Sequence, residues 1–190
     1  MLVTRDPEVA KRARVMRLHG INRDAFDRFT SKMPSWYYEI VAPGFKYNMT
    51  DIAASIGIHQ LKKASLFQTK RAHIASLYDK ALSELPIILP PHPEVGDVHS
   101  WHLYVIRLAD TLKIGRDQFV ERMFEQGIGC SVHYIPLHLH PYWRDTYQLT
   151  PEMFPVSQAI YERTLSLPIY TRMTESDVER VVMAVKKALA

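Results

Sequence analysis

Cysteine is almost absent: Cys130 is the one thiol in 190 residues, so the chain can form no internal disulfide. That excludes a disulfide-stapled secreted scaffold and fits a reducing compartment. Cys130 lies in the apolar stretch Gly127-Ile128-Gly129-Cys130-Ser131-Val132-His133, where a small buried thiol is expected. Glycine is also scarce, at 7 residues. With neither a Gly-x-Gly-x-x-Gly fingerprint nor a phosphate-cradling glycine loop, dinucleotide and P-loop chemistry are excluded. No Gly-x-Ser-x-Gly elbow occurs, and Cys130 has no local partner as a nucleophile, which removes the common hydrolase designs. Long hydrophobic runs are missing as well, and none is long enough to span a bilayer. Charge arrives at Arg5 and Asp6 before a signal-peptide core can form, so a cytoplasmic protein without membrane association is expected.

What the chain does contain is ordinary. Apolar residues make up 47% and charged residues 23%, the balance of a folded globular protein. A formal net charge of +4 permits a phosphorylated ligand without requiring one. Arg5, Lys11, Arg12, Arg14 and Arg17 cluster near the start, but no aromatic residues interleave with them. A solvated helix face is therefore expected there, and a nucleic-acid surface is not.

Along the chain, Leu2-Val3-Thr4 reads as a short β-like stub. Asp6 followed by Pro7 marks a helix start. Residues 21–48 have little periodicity and hold Trp36-Tyr37-Tyr38 and Pro43-Gly44-Phe45-Lys46-Tyr47-Asn48. A long irregular segment of this kind is more often functional than idle. A helix signal then runs from Thr50-Asp51 to just before Pro86, as one long helix or two in tandem. Pro86, Pro90, Pro91 and Pro93 form a linker, and a domain boundary is expected there, dividing 1–85 from 86–190. The second part reads as α/β. Strands are expected over His99–Leu108 and Cys130–Tyr134, and helices over Asp117–Gln126, Pro155–Thr164 and Glu175–Leu189. Gly127 reads as a C-cap, Thr174 as an N-cap and Pro136–Pro141 as loop. Residues 1–85 supply helices but too few strands to close a sheet, so they look like the end of a larger domain.

His133, His138 and His140, with His99 and His102 upstream, invite a metal reading. Histidine zinc sites need ligands at suitable spacing on a rigid element, and here the imidazoles straddle a strand end and a proline-containing loop. No metal is expected. A histidine cluster at the end of a strand still marks a plausible pocket in α/β architecture; structural histidines with ordinary hydrogen bonds are the alternative.

Gly44-Phe45-Lys46-Tyr47-Asn48-Met49-Thr50-Asp51-Ile52, followed by Ala54-Ser55-Ile56-Gly57, Gln60-Leu61, Arg71, Ala75 and Tyr78, resembles the sugar aminotransferases of the DegT/DnrJ/StrS group. Leu18-His19-Gly20, Ser35-Trp36-Tyr37-Tyr38-Glu39, Ser131-Val132-His133-Tyr134-Ile135-Pro136-Leu137-His138, Pro141-Tyr142 and Leu165-Ser166-Leu167-Pro168 extend the resemblance over essentially the whole chain. These are fold-type I, pyridoxal-phosphate-dependent enzymes. The resemblance implies the C-terminal part of that fold: the end of a large cofactor-binding domain with long helices over 1–85, and a small α/β domain over 86–190. It implies transfer of an amino group, usually from glutamate, to a keto sugar carried on a nucleotide, in surface-polysaccharide or secondary-metabolite biosynthesis. It also implies a homodimer with shared sites. Asn48 matches the residue that reaches the cofactor phosphate of the partner subunit. His133, Tyr134 and His138 match positions near the sugar, and Trp36, Tyr37 and Tyr38 the loop that covers the substrate.

The family often has glutamine where Ala53 and His140 stand, which bears on substrate contacts nearby. The family's cofactor-holding lysine lies N-terminal to the position of Leu2-Val3-Thr4. The resemblance therefore implies a truncated chain without that lysine, inactive alone, and Lys46 is not expected to replace it. A non-catalytic nucleotide-sugar-binding or interaction module built on the same fold is the alternative.

Overall fold

Asp6 shows why the first helix begins where it does. Its backbone is extended, and its carboxylate accepts hydrogen bonds from the N–H groups of Glu8 and Val9 at 2.8 and 3.4 Å. Two donors that a helix start leaves unpaired are thereby satisfied, and Pro7 costs nothing at a position with no donor to lose. The computed structural model describes residues 2–22 and 38–190. The chain falls into two compact units, residues 1–62 and 63–190.

In the first unit, α1 (Pro7–Met16) is followed by a tight exchange of backbone hydrogen bonds. Phe45 N–H donates to Met16, His19 N–H to Phe45, Tyr47 N–H to Arg17, and Val41 N–H to Gly20, at 2.7–2.9 Å. Gly20 sits at φ +72°, and a Cβ there would lie 1.8 Å from the Ala42 carbonyl oxygen. Gly44 approaches equally closely, since its Cβ would lie 2.0 Å from the Gly20 nitrogen. Only glycine fits this crossing, which sets the course of the chain into Tyr47 and Asn48. Leu2-Val3-Thr4, expected as a β stub, has no strand partner among the described residues, and Leu2 and Val3 are exposed. A strand needs a ladder to hold it, and none is offered here.

α2 (Asp51–Leu82) is one uninterrupted helix of 32 residues. Thr50 Oγ1 accepts from Ala53 N–H at its start, and Asp51 lies in the first turn. Ile74, Ala75, Tyr78 and Leu82 make its buried stripe, all in the second unit. Ile52, Ile56 and Leu61, in the first unit, are exposed.

The second unit is built on a three-stranded antiparallel sheet, β1 (Ile87–Ile88), β2 (Tyr104–Leu108) and β3 (Thr164–Leu167), in that spatial order. β2 alternates: Tyr104, Ile106 and Leu108 are fully buried, while Val105 and Arg107 are not. Tyr104 pairs with Leu167 and Ile106 with Leu165, so one face of the sheet is continuously apolar. The core contains this face together with Tyr78 and Leu82 of α2, Phe119 and Met123 of α3 (Arg116–Glu125), and Val178, Val181, Val182 and Val185 of α6 (Glu175–Leu189). Two buried phenols are paired: Tyr78 donates to the Pro168 carbonyl at 2.8 Å and Tyr104 to Asp79 at 2.6 Å. Burial pushes both phenols well above the usual tyrosine range, and for Tyr104 the bond to Asp79 adds to the rise. They therefore remain donors at any physiological pH.

Local signals hold well at helix ends. Thr174 and Asp177 form a reciprocal capping box at the start of α6. Gly127, at φ +73°, follows α3 and lets the N–H groups of Gly127 and Ile128 bond back to Phe124 and Met123. The strands differ from the expected ones. His99–Leu108 shortens to Tyr104–Leu108, because Trp101 takes φ +47° and its N–H donates to His99 Nδ1, turning the chain before the ladder begins. Cys130–Tyr134 reduces to a bridge in which Ser131 and Ser166 exchange two backbone hydrogen bonds. Leu165-Ser166-Leu167, singled out in the sequence only for its likeness to the family, is the strand β3. The fold class is the expected one, a mixed helix and sheet arrangement.

Candidate functional site

The candidate residues of the second unit lie on one continuous segment that leaves the sheet at Ser131. Pro136 leads into a single 3-10 turn, Leu137–Leu139, closed by Leu139 N–H on Pro136 and His140 N–H on Leu137. The turn carries His138 inward: it is 3% exposed, its ring stacks on Phe154 (centroids 5.0 Å, planes 15° apart), and Nε2 lies 2.8 Å from Gln158 Oε1. His133 and Tyr134 are exposed on the segment before it, their rings 5.7 Å apart and near perpendicular, with Tyr134 at 85% exposure. The structure thus brings these three residues onto one short stretch, two free at the surface and one anchored.

Three further residues of this anchor escaped the sequence analysis. Phe154 precedes α5 (Pro155–Arg163), which carries Gln158 and Glu162, and Gln158 Nε2 donates to Glu162 at 2.7 Å. The Gln158–Glu162 spacing of one helical turn was visible in the sequence. Their partner, His138, lies twenty residues upstream, and no local pattern signals that contact. α4 (Pro141–Tyr147) adds an exposed aromatic row in which Trp143 stacks on Tyr147 at 5.8 Å and meets Tyr142 edge-on at 5.2 Å.

In the first unit, Asn48 is half-buried immediately before α2, and its amide has no hydrogen-bond partner among the described residues. Tyr38 is 44% exposed. Trp36 and Tyr37 lie outside the described residues. Every described lysine is exposed, Lys46 included. Among the described residues no group of three or more His, Cys, Asp or Glu side chains is placed to hold a metal ion. Nor is any described helix long and apolar enough to cross a membrane.

Cys130 packs against the core, and burial pushes its thiol up to about 11. Since the thiolate is the reactive form, alkylation near neutral pH is expected to run about 100-fold slower than for a free thiol, gaining about tenfold per pH unit up to that value. Iodoacetamide labelling followed by mass spectrometry across a pH series checks this; a rate matching that of glutathione would contradict the burial.

Residues 1–186 match the model of the DegT/DnrJ/EryC1/StrS aminotransferase family. The chain is 48% identical over its full length to the uncharacterised protein MJ1066 of Methanocaldococcus jannaschii, covering 49% of that protein. It is 40% identical to the spore coat polysaccharide biosynthesis protein SpsC of Bacillus subtilis, over 98% of the chain and 48% of SpsC. Among solved structures, the chain resembles Spr1654 of Streptococcus pneumoniae, described as a sugar aminotransferase and solved in its PMP form. The TM-score is 0.82 at 28% identity, over 97% of this chain and 46% of that one. The chain thus spans about half the length of the relatives it matches. Sequence match and fold agree from end to end, and the chain belongs to the DegT/DnrJ/EryC1/StrS aminotransferase family.

Proposed function

We propose that this chain forms the substrate-side part of a pyridoxal-phosphate-dependent sugar aminotransferase that moves an amino group from glutamate to a keto sugar linked to a nucleotide. The observation that carries the reading is the pairing of an anchored, buried His138 with the exposed His133 and Tyr134 on one segment. Recognition of sugar hydroxyls needs a few well-placed donors and acceptors on a rigid support, and this segment offers two imidazoles and a phenol. The aromatic residues Trp36, Tyr37 and Tyr38 would cover the substrate. The biosynthetic setting is a surface polysaccharide or secondary-metabolite sugar, in line with the likeness to SpsC.

Asn48 is the residue here that fits the cofactor. Its uncommitted amide can donate two N–H groups to phosphate oxygens, in a site shared between the subunits of a cytoplasmic homodimer. When bound, pyridoxal phosphate supplies the electron sink and carries the amine between donor and acceptor; the PMP form of Spr1654 is the amine-carrying form of that group. Residues 1–85 would close the large cofactor domain and residues 86–190 would form the small one. The lysine that holds the cofactor is not among the residues of this chain, so the chain alone does not turn over. The exposure of every described lysine favours this, and equally favours a non-catalytic nucleotide-sugar-binding module.

The test is a titration of the isotope-labelled full chain with uridine diphosphate N-acetylglucosamine and, separately, thymidine diphosphate glucose. Ring resonances of His133, Tyr134 and His138 are expected to shift together, and Tyr134→Ala to weaken binding about tenfold, or about 1.4 kcal/mol. Unchanged resonances with both sugars at millimolar concentration would sink the proposal.

A further inference from the structure

The anchor of His138 contains a directional chain of hydrogen bonds that ends on a fixed donor. Glu162 presents a carboxylate, whose oxygens only accept. Gln158 Nε2 therefore faces Glu162 Oε1, at 2.7 Å, and the Gln158 carbonyl is turned the other way. That carbonyl, Oε1, lies 2.8 Å from His138 Nε2, and a carbonyl also only accepts. The ring nitrogen must then be the donor. The opposite orientation of the amide would press its carbonyl against the carboxylate, placing two acceptors in contact. Water does not easily substitute here, since His138 is 3% exposed and one ring face is covered by Phe154.

We infer that Glu162 and Gln158 act as positioning residues that hold His138 in the tautomer carrying its proton on Nε2, so that Nδ1 is the acceptor it offers to a sugar hydroxyl. The substrate half of this statement rests on the reading of His138 given above; the tautomer does not. Nδ1 has no hydrogen-bond partner among the described residues, so its lone pair is uncommitted. A neutral imidazole has one donor and one acceptor, and committing the donor to protein leaves the acceptor for the ligand. A hydroxyl bound there would donate, which orients its oxygen lone pairs away from the ring. Gln158 and Glu162 stand one turn apart on α5, so the helix itself holds their spacing.

The experiment is a long-range proton–nitrogen correlation spectrum of the ¹⁵N-labelled full chain, with His138 assigned by its loss in His138→Ala and the ring in its neutral form. The wild type is expected to show Nε2 in the protonated, pyrrole-like range and Nδ1 in the pyridine-like range. In Glu162→Gln, an exposed substitution, residue 162 can donate or accept and the Gln158 amide can turn over. The two nitrogen shifts are then expected to move toward each other as the tautomers mix. Gln158→Leu removes the acceptor altogether and should mix them further; if it does not fold, Glu162→Gln decides. A wild-type ring protonated on Nδ1, or a Glu162→Gln spectrum identical to the wild type, overturns the inference. Because the tautomer is read without ligand, its failure leaves the nucleotide-sugar reading standing, and an absence of sugar binding leaves the tautomer standing.

Discussion

Phe119→Ala is expected to destabilise the second unit by about 3–5 kcal/mol, the usual cost of deleting a fully buried phenylalanine ring. Phe119 has no exposed surface and sits on the face of α3 that meets α6, within the cluster that also holds Met123, Val182 and Val185. The two helices are further tied by side-chain bonds to the last turns of α6. Arg122 donates to the Ala188 carbonyl at 2.8 Å, and Gln126 to the Ala184 carbonyl at 3.2 Å. Those bonds hold the helices at their present separation, so the walls cannot close on the vacated volume and a cavity penalty adds to the lost transfer energy. Against a total stability on the order of 5–15 kcal/mol, a loss of this size leaves a substantial unfolded fraction. Phe124, on the same helix, is 76% exposed, and Phe124→Ala should change stability by less than about 0.5 kcal/mol. Urea unfolding of both variants, followed by circular dichroism, makes the comparison. Equal midpoints for the two would show that α3 does not pack as described.

Trapping with borohydride in the presence of stoichiometric pyridoxal phosphate is expected to give no adduct concentrated on a single lysine. The aldehyde reacts with an unprotonated amine, and enzymes produce one by withdrawing a lysine from water or setting it beside another cation. Every described lysine of this chain lies exposed, so none is withdrawn from water. Lys46 stands close to Asn48 in sequence, but its backbone only bridges to Leu18 and its side chain is in solvent. Intact mass should therefore show mainly unmodified protein, with peptide mapping spreading minor label over several surface lysines. One lysine labelled to completion would overturn the proposed incompleteness and identify a catalytic residue in this chain. Scattered label together with shifted histidine resonances in the nucleotide-sugar titration would fit both a half-site of the enzyme and a binding module. The two readings then separate on whether a lysine-bearing partner chain restores transfer.

Features governed by nearest neighbours were legible before any coordinates. Asp6-Pro7 starts α1, Thr174 starts α6, and Gly127 ends α3, because each signal is a side chain or a backbone freedom acting within four residues. The long helical stretch was legible as one helix or two in tandem, and it is single because nothing between Asp51 and Leu82 removes a donor or breaks the period. Strands read less well. The apolar run from His99 suggested a strand beginning five residues before the observed one, since Trp101 is buried by a turn and not by alternation. Leu165-Ser166-Leu167 is too short to announce itself, and becomes a strand because Tyr104 to Arg107 lie alongside to pair with it.

The candidate site divides in the same way. Sequence alone determined the family resemblance, the choice of His133, Tyr134, His138 and Asn48, and the helix ends that frame them, because residue identity and short spacing carry that information. Tertiary structure decided that His138 is buried while His133 and Tyr134 are open, that Phe154 covers its ring, and that Gln158 and Glu162 determine which of its nitrogens donates. Those contacts join positions far apart in the chain. They exist because the backbone bridge between Ser131 and Ser166 sets the start of the segment that carries His138 beside β3, the strand that directly follows α5.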